Sequence, residues 1–145
     1  MSHTNFLYHI VCGTKERRRL ISPDWEDNLH AFLGGIVRKT GGTALEINGI
    51  EDHVHMLARL GPKIAFSDFM RELKSKSSGF VHQEFDRRFA WAERYGAFSV
   101  SESNVERVRR YIKRQKLHHA RQSFVDEYRE LLIRNKVEID ERYLI

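Results

Sequence analysis

The chain has 145 residues, of which 41% are hydrophobic and 31% charged, and this composition predicts one soluble globular domain, 1–145, with a sizeable core. It has no run of about eighteen apolar residues, so we expect no membrane span and no membrane partner. We also expect no signal peptide, because the first residues lack a basic start. Cys12 is the only cysteine, which excludes an internal disulfide and a cysteine-based zinc site and favours a cytoplasmic location.

The net charge of +5 is concentrated in one segment, 101–121, which we call the basic stripe. This segment has seven basic and two acidic residues, so the rest of the chain is electrically balanced. A local excess of positive charge suits a polyanion such as nucleic acid. A solvated helix face would have the same composition, and charge alone does not decide between the two. The candidate DNA-binding residues of the stripe are Arg107, Arg110, Lys113, Arg114 and Lys116.

The first half of the chain predicts a strand, a helix and a hairpin. Residues 6–12 are rich in β-forming side chains and predict a buried strand. Ser22-Pro23 predicts the start of a helix that runs to about Lys39, because a capping hydroxyl is followed by proline at the first helical position. Segments 43–50 and 53–60 predict two strands joined by a tight turn.

The second half predicts three helices and two short strands. Apolar residues at helical spacing predict a helix over 66–81, and short strands are predicted at 89–91 and 97–100. Residues 103–106 form a capping-box sequence that predicts a third helix of about sixteen residues. A fourth helix is predicted over 123–135. Helices that interrupt a sheet built largely from hairpins predict an α+β, ferredoxin-like fold.

The sequence His-Val-His lies on the predicted strand 53–60. Alternate side chains of a strand point to the same face, so we expect His53 and His55 to lie side by side. Two imidazoles on one face can bind one metal ion. Such a pair also arises by chance in a histidine-rich chain, so the motif alone leaves a purely structural role open.

Tyr111 and Gln115 are four residues apart on the predicted third helix and therefore share a face, which Arg107 and His118 extend. A phenol among cations is easier to deprotonate, because the phenolate is stabilised. Tyr111 is thus a candidate reactive residue, although a half-buried tyrosine with its hydroxyl in water is an alternative. We expect His118 and His119, as neighbours on a helix, to diverge.

Taken together, these motifs resemble those of the single-tyrosine HUH transposases, the class named after insertion sequences two-hundred and six-hundred-and-five. Segment 52–57 is similar to the metal-binding strand of that family, in which a bulky hydrophobe separates two histidines. Segment 111–115 is similar to the nucleophile helix, and segment 91–101 to the residues that lead into it. The similarity covers nearly the whole chain and continues through His118-His119, Ser123-Phe124, Glu127-Tyr128 and Tyr143-Leu144.

This resemblance implies an RRM-like variant of the ferredoxin fold, with helices packed on one face of an antiparallel sheet and a C-terminal helix that carries the tyrosine. It implies a DNA transposase that cuts and rejoins single-stranded DNA near hairpins through a 5′-phosphotyrosine. It further implies a homodimer in which each active site joins the histidines of one subunit to the tyrosine of the other. Rejoining through a covalent intermediate needs no ATP, which agrees with the absence of a glycine-rich phosphate loop.

The resemblance also implies roles for individual residues. Tyr111 would be the catalytic nucleophile. A divalent ion, Mg²⁺ or Mn²⁺, would be held by His53, His55 and Gln115. Some relatives have a carboxylate three residues before the first histidine, where this chain has Ile50. The fourth ligand is therefore open, and the nearby candidates are Glu51, Asp52 or a water.

Three alternatives keep part of this interpretation. One is an inactive relative that binds hairpin DNA without cutting it. A second is a cellular relative that processes palindromic hairpins without mobilising an element. A third is a metal-dependent hydrolase that uses the histidine pair alone, without a covalent intermediate.

Overall fold

The structure is a computed structural model that describes residues 2–144, so Met1 and Ile145, the ends of the predicted domain, lie outside the described residues. Among the described residues, no helix is both long enough and apolar enough to cross a membrane. The strands are β1 (Phe6–Thr14), β2 (Thr43–Ile50), β3 (His53–Leu60) and β4 (Trp91–Val100). The helices are α1 (Glu26–Lys39), α2 (Phe66–Glu84), α3 (Val105–Lys113), α4 (Gln115–His118) and α5 (Phe124–Arg134).

The four strands form one antiparallel sheet in the order β2-β3-β1-β4. The central strands pair in a register that sets His55 opposite Val11 on β1 and opposite Asn48 on β2. This strand order, with α1 and α2 as the crossovers, is that of the ferredoxin-like fold, so the predicted fold class is confirmed. The predicted bounds of β2 and β3 are those of the structure.

The two short strands predicted around Tyr95-Gly96 are in fact the single strand β4, which pairs with β1 from Leu7↔Val100 to Thr14↔Trp91. The tyrosine–glycine pair suggested a break because glycine is common in turns. Here Gly96 instead lets α5 approach the sheet, since a Cβ at this position would lie 2.8 Å from Cε1 of Tyr128.

The helix starts differ from the predictions at two places. The first helix begins at Glu26 rather than at Ser22-Pro23, whose serine hydroxyl accepts from the amide of Asp24 in a preceding turn. The predicted capping box does not form either: Asn104, at the N-cap of α3, makes no side-chain capping bond. By contrast, Ser123 caps α5, because its side chain accepts from the amide of Asp126.

The predicted sixteen-residue helix is divided into α3 and α4 at Arg114, whose backbone angles are φ −93° and ψ 14°. The Asn48 side chain of β2 donates to the carbonyls of Ile112 and Lys113 at 3.0 and 3.1 Å. These bonds satisfy carbonyls that the end of a helix leaves free. The bend at Arg114 is therefore fixed to the sheet edge, and it directs α4 across the end of β3.

The two faces of the sheet carry different cores because side chains alternate along each strand. One face packs against α1 and α2 in a large apolar cluster that includes Ile10, Val54 and Met56. The opposite face carries a second, smaller cluster that α5 completes, with Val11 and Phe98 from the strands. Their neighbours on that face are the histidines of β1 and β3.

Candidate functional site

His53 and His55 are completely buried on β3, and their ring centroids are 4.9 Å apart. Strand alternation brings both rings to the face that α3, α4 and α5 cover. Phe124, at the start of α5, stacks on the His53 ring with a centroid distance of 4.0 Å and an interplanar angle of 2°. The predicted side-by-side placement of the histidines is therefore observed, and packing holds the rings in place.

The Nδ1 atom of each ring has its own polar partner. Nδ1 of His53 lies 2.7 Å from Oδ1 of Asp52, and Nδ1 of His55 lies 2.8 Å from Nε2 of His9. Burial lowers the pKa of His9 to about 3 and that of His55 to about 4, so both are neutral. These contacts leave the Nε2 atoms of His53 and His55 to face the interior of the site.

Tyr111 and Gln115 reach the same place from α3 and α4. The Tyr111 ring centroid lies 5.7 Å from that of His55, and Oε1 of the buried Gln115 lies 3.0 Å from Nε2 of His53. The four residues predicted for the catalytic and metal sites thus come together in one chain. Exchange of the tyrosine helix between two subunits, as the resemblance implies, stays a prediction, because the site described here contains only one chain.

The expected activation of Tyr111 by neighbouring cations is wrong for this state of the site. Burial and the nearby Glu127 carboxylate raise the pKa of the phenol. The hydroxyl donates a hydrogen bond to Oε2 of Glu127. The proton therefore stays on the phenol while that carboxylate faces it.

Burial opposes the protonation of His53, but hydrogen bonds with Asp52, Glu127 and Gln115 outweigh it and raise the pKa of the ring to about 9. Burial likewise opposes the ionisation of Glu127, while hydrogen bonds from His119, His53 and His55 hold its pKa well below the usual range. The cluster is therefore a site for positive charge that is built around one buried carboxylate.

Glu127 and His119 are site residues to which the sequence patterns assigned no role. Glu127, on α5, is 1% exposed, and its Oε1 lies 2.9 Å from Nε2 of His119 and 3.0 Å from Nε2 of His55. Its Oε2 accepts from Nε2 of Gln115 at 2.9 Å. The only sequence signal for the pair was their place in the motif similarity, because nothing local indicates that α5 crosses the histidine face.

The prediction that His118 and His119 diverge is also wrong. Helix α4 ends at His118, so His119 follows the helix rather than continuing it. Both rings turn towards Glu127, with His118 Nε2 at 3.5 Å from Oε2, and their centroids are 5.0 Å apart.

The donor set fits a divalent metal ion. His53, His55, His119 and Glu127 each offer one ligand atom, and these atoms all lie within 4.8 Å of one another. Imidazole nitrogens with a carboxylate or amide oxygen are common ligands of Mn²⁺ and related ions. Metal-binding histidines usually donate their other ring N–H to a carboxylate or carbonyl, and the Asp52–His53 contact has that geometry.

The basic stripe is divided between two surfaces. Lys113 and Lys116 turn towards the sheet, where Lys113 lies 3.9 Å from Glu46 and Lys116 lies 2.6 Å from the buried Glu26. Of the predicted DNA-binding residues, these two therefore hold α3 and α4 against β2 and α1. The predicted residues that instead line a cleft beside Tyr111 and His118 are Arg107, Arg110 and Arg114, together with Arg121.

Comparisons with known proteins agree with this geometry. Residues 2–115 match the family model described as IS200-like transposase. The chain is 32% identical over 124 residues to the transposase for insertion sequence element IS200 of Salmonella typhimurium, covering 79% of this chain and 81% of that relative.

Two solved structures share the fold. One is a Deinococcus radiodurans R1 protein assigned as a transposase, with a TM-score of 0.65 and 24% identity over 79% of this chain and 93% of that one. The other is a REP-associated tyrosine transposase bound to a REP hairpin, with a TM-score of 0.63 and 15% identity over 82% of this chain and 74% of that one.

The fold and the family match thus define an IS200-like transposase, and in this chain paired histidines on a central strand face a tyrosine on a helix. The chain belongs to the IS200-like transposase family, as its sequence motifs predicted.

Proposed function

We propose that this protein, as a single HUH transposase domain over 1–145, cuts and rejoins single-stranded DNA near hairpins through a 5′-phosphotyrosine on Tyr111. The observation that carries the proposal is the contact of the Tyr111 hydroxyl with the buried carboxylate around which His53, His55 and Gln115 also gather. An inactive hairpin-binding relative would have no use for this arrangement of nucleophile and donor atoms.

The covalent step exchanges one phosphate ester for another. Oη of Tyr111 attacks the phosphorus and forms a new P–O bond, while the bond from phosphorus to the 3′ oxygen breaks. The phenol loses its proton, and the leaving 3′ oxygen takes up a proton to become a hydroxyl. A 3′-hydroxyl from the same or another strand later reverses the step, so rejoining needs no external energy source.

A bound divalent ion would supply Lewis acidity towards a non-bridging phosphate oxygen. His53, His55 and Gln115 would hold it, with Mg²⁺ or Mn²⁺ as the ion. Other residues of the chain orient these ligands. Asp52 fixes the ring of His53 and His9 fixes the ring of His55 through their Nδ1 atoms, and Phe124 stacks on the His53 ring. Burial of the cluster excludes bulk water, which would otherwise compete for the phosphate ester.

The arginine cleft beside Tyr111 would hold the DNA backbone. Arg107, Arg110 and Arg114 are exposed, and no ion pair with them is found within residues 2–144. Free guanidinium groups suit phosphate contacts, which position a strand without selecting its bases. The solved relative bound to a REP hairpin supports hairpin DNA as the partner. The lone cysteine and the DNA substrate favour action in the cytoplasm.

We also propose a homodimer, as the resemblance implies. One chain already brings Tyr111 to its own histidines, so two chains could each use their own site or exchange their tyrosine helices. The chemistry is the same in both arrangements, and they differ in which subunit supplies the nucleophile.

Incubation with single-stranded hairpin DNA and Mn²⁺, followed by a denaturing gel, tests the covalent step. The parent should yield a protein band shifted by attached DNA. Tyr111→Phe should lose this band and the cleavage but keep hairpin binding, because only the hydroxyl is removed. Tyr143→Phe is the matched control, since Tyr143 is exposed and stacks with Arg94 away from the site. An adduct formed by Tyr111→Phe would show that another residue is the nucleophile, whereas cleavage by the parent with no adduct would favour the hydrolase alternative.

A further inference from the structure

One oxygen of Glu127 lies at the point where three histidines meet. The Oε1 atom is 2.9 Å from Nε2 of His119, 3.0 Å from Nε2 of His55 and 3.4 Å from Nε2 of His53. The carboxylate and the rings of His53 and His55 are buried, so water does not separate these groups. The three nitrogens come from β3 and from the turn after α4, and the oxygen comes from α5.

The hydrogen bond made by Nδ1 of each histidine decides whether its Nε2 atom carries a proton or a lone pair. Nδ1 of His119 lies 2.7 Å from the carbonyl of Gln122, and a carbonyl only accepts, so the ring donates there. A neutral His119 therefore has its lone pair on Nε2, towards Glu127. His53 differs, because its Nδ1 faces the Asp52 carboxylate and its Nε2 faces the amide oxygen of Gln115 at 3.0 Å, and both oxygens accept. Without a metal ion this ring therefore carries a proton on each nitrogen, and a bound ion would take the place of the proton on Nε2.

For His55 the partner is the neutral His9 ring, whose Nε2 lies 2.8 Å from Nδ1 of His55. When Nδ1 of His55 donates to that nitrogen, its own Nε2 also carries a lone pair. The nitrogen lone pairs of His119 and His55 and a carboxylate oxygen then point at one another across about 3 Å, which is unfavourable unless a positive charge, either the proton of His53 or a metal ion, lies between them. A histidine that donates its outer N–H to a carbonyl or carboxylate is the usual form of a metal ligand.

We propose that His119 and Glu127 complete the metal centre of this protein, as a third imidazole and a carboxylate ligand beside His53 and His55. This inference rests on the proposed function for the presence of a divalent ion. It also fills the open position in the ligand set. Ile50 has no donor, and Asp52 faces Nδ1 of His53 rather than Nε2, so it orients that ring instead of reaching the ion.

The proposal has a consequence for the choice of metal. Three imidazoles, one carboxylate and the amide oxygen of Gln115 form a nitrogen-rich set that suits Mn²⁺, Co²⁺ or Zn²⁺ better than Mg²⁺, which prefers oxygen ligands and retains water. The parent should therefore bind Mn²⁺ more tightly than Mg²⁺ without any DNA present. Glu127 would then serve the ion through Oε1, while its Oε2 continues to face Tyr111 and Gln115.

Isothermal titration of Mn²⁺ into the DNA-free protein tests the proposal without using activity. Glu127→Gln and His119→Ala should each weaken Mn²⁺ binding by at least about tenfold. Glu130→Gln, on the exposed side of α5, is the matched control and should bind like the parent. If Glu127→Gln binds Mn²⁺ as tightly as the parent or more tightly, the carboxylate merely fills the site and the proposal is wrong.

A second measurement and the binding of the parent itself separate the possible outcomes. Pulsed electron paramagnetic resonance of Mn²⁺ bound to the parent should detect three coordinated imidazole nitrogens, and a count of two would overturn the role of His119 even if a variant fails to fold. A parent that binds no Mn²⁺ would overturn the proposed metal-dependent function, and this proposal with it. Normal binding by the parent together with unchanged binding by both variants would overturn this proposal alone.

Discussion

The two faces of the sheet are built by the same strands and are both buried, yet they have different chemistry. On β3, Val54 and Met56 point into the apolar cluster under α1 and α2, while His53 and His55 point to the opposite face. The first face is held together by apolar burial, which contributes roughly 25 cal/mol per Å² and depends little on direction. The second combines the smaller apolar cluster with directional contacts that converge on Glu127. A strand of alternating residues can thus belong to a stable core and to a reactive site at once.

The largest expected effect on activity comes from substitutions on the histidine face of β3, compared with a substitution on its apolar face. His53→Ala or His55→Ala should abolish cleavage even in Mn²⁺, because the site loses one of its imidazole ligands and then holds a cation poorly. Met56→Ala, one residue away on the other face, should cost about 2–5 kcal/mol of stability but leave activity at low temperature. Cleavage assays and thermal unfolding of the same samples measure both. Undiminished cleavage by the parent in EDTA would rule out the metal.

The second prediction concerns which chain completes the site. A mixed dimer of His53→Ala and Tyr111→Phe subunits tests the exchange of tyrosine helices that the resemblance implies, and we expect it to regain activity. If each chain instead completes its own site, as the contacts of Tyr111 and Gln115 with their own histidines would allow, both sites are damaged and the dimer stays inactive. Exchange of the tyrosine helices would instead leave one intact site and restore up to about half of the cleavage. Co-expressed heterodimers of verified composition distinguish the two outcomes, with the parent homodimer as the reference.

A smaller effect is expected from the arginine cleft. Replacing Arg107, Arg110 and Arg114 together by glutamine should weaken binding to all single strands alike and lower the salt slope by about 2, or roughly 0.7 per lost phosphate contact. Binding titrations at several salt concentrations measure the slope. A control with the same charge change, made at Arg71, Lys76 and Arg88 outside the cleft, should leave it unchanged. If both triple variants lost the same affinity and salt slope, the cleft would contribute no more than any other positive charge on the surface.

The smallest expected effect concerns the reactivity of the Cys12 thiol, which lies on the apolar face. Burial raises the pKa of the Cys12 thiol to about 12. Because the charged form is disfavoured, the thiol stays protonated at pH 8, and the folded protein should react slowly with iodoacetamide. The unfolded chain in urea should react much faster. Equal rates for the two states would mean that this face is open to solvent.

The elements that local patterns describe were predictable. Alternation along β3 was sufficient to set His53 beside His55, and helical spacing to set Tyr111 beside Gln115. Contacts across long separations were not predictable from local patterns. Glu127 meets His55 from 72 positions along the chain, and that contact depends on how α5 packs on the sheet.

The basic stripe shows the same limit. Its composition was evident from the sequence. The ion pair of Lys116 with the buried Glu26 was not, because it depends on the bend at Arg114, which the Asn48 side chain of β2 stabilises. Charge counted along a sequence does not distinguish a lysine that holds two elements together from an arginine that lines an open cleft. The motif similarity located the family but assigned Glu127 and His119 no role.

The most direct test of the central claim is to locate the DNA on the protein. The covalent product formed with single-stranded hairpin DNA and Mn²⁺ is digested with nuclease and protease, and the modified peptide is identified by mass spectrometry. The account predicts a single nucleotide-bearing residue, Tyr111, linked through a 5′-phosphate. Attachment to another residue, or a linkage through a 3′-phosphate, would contradict it.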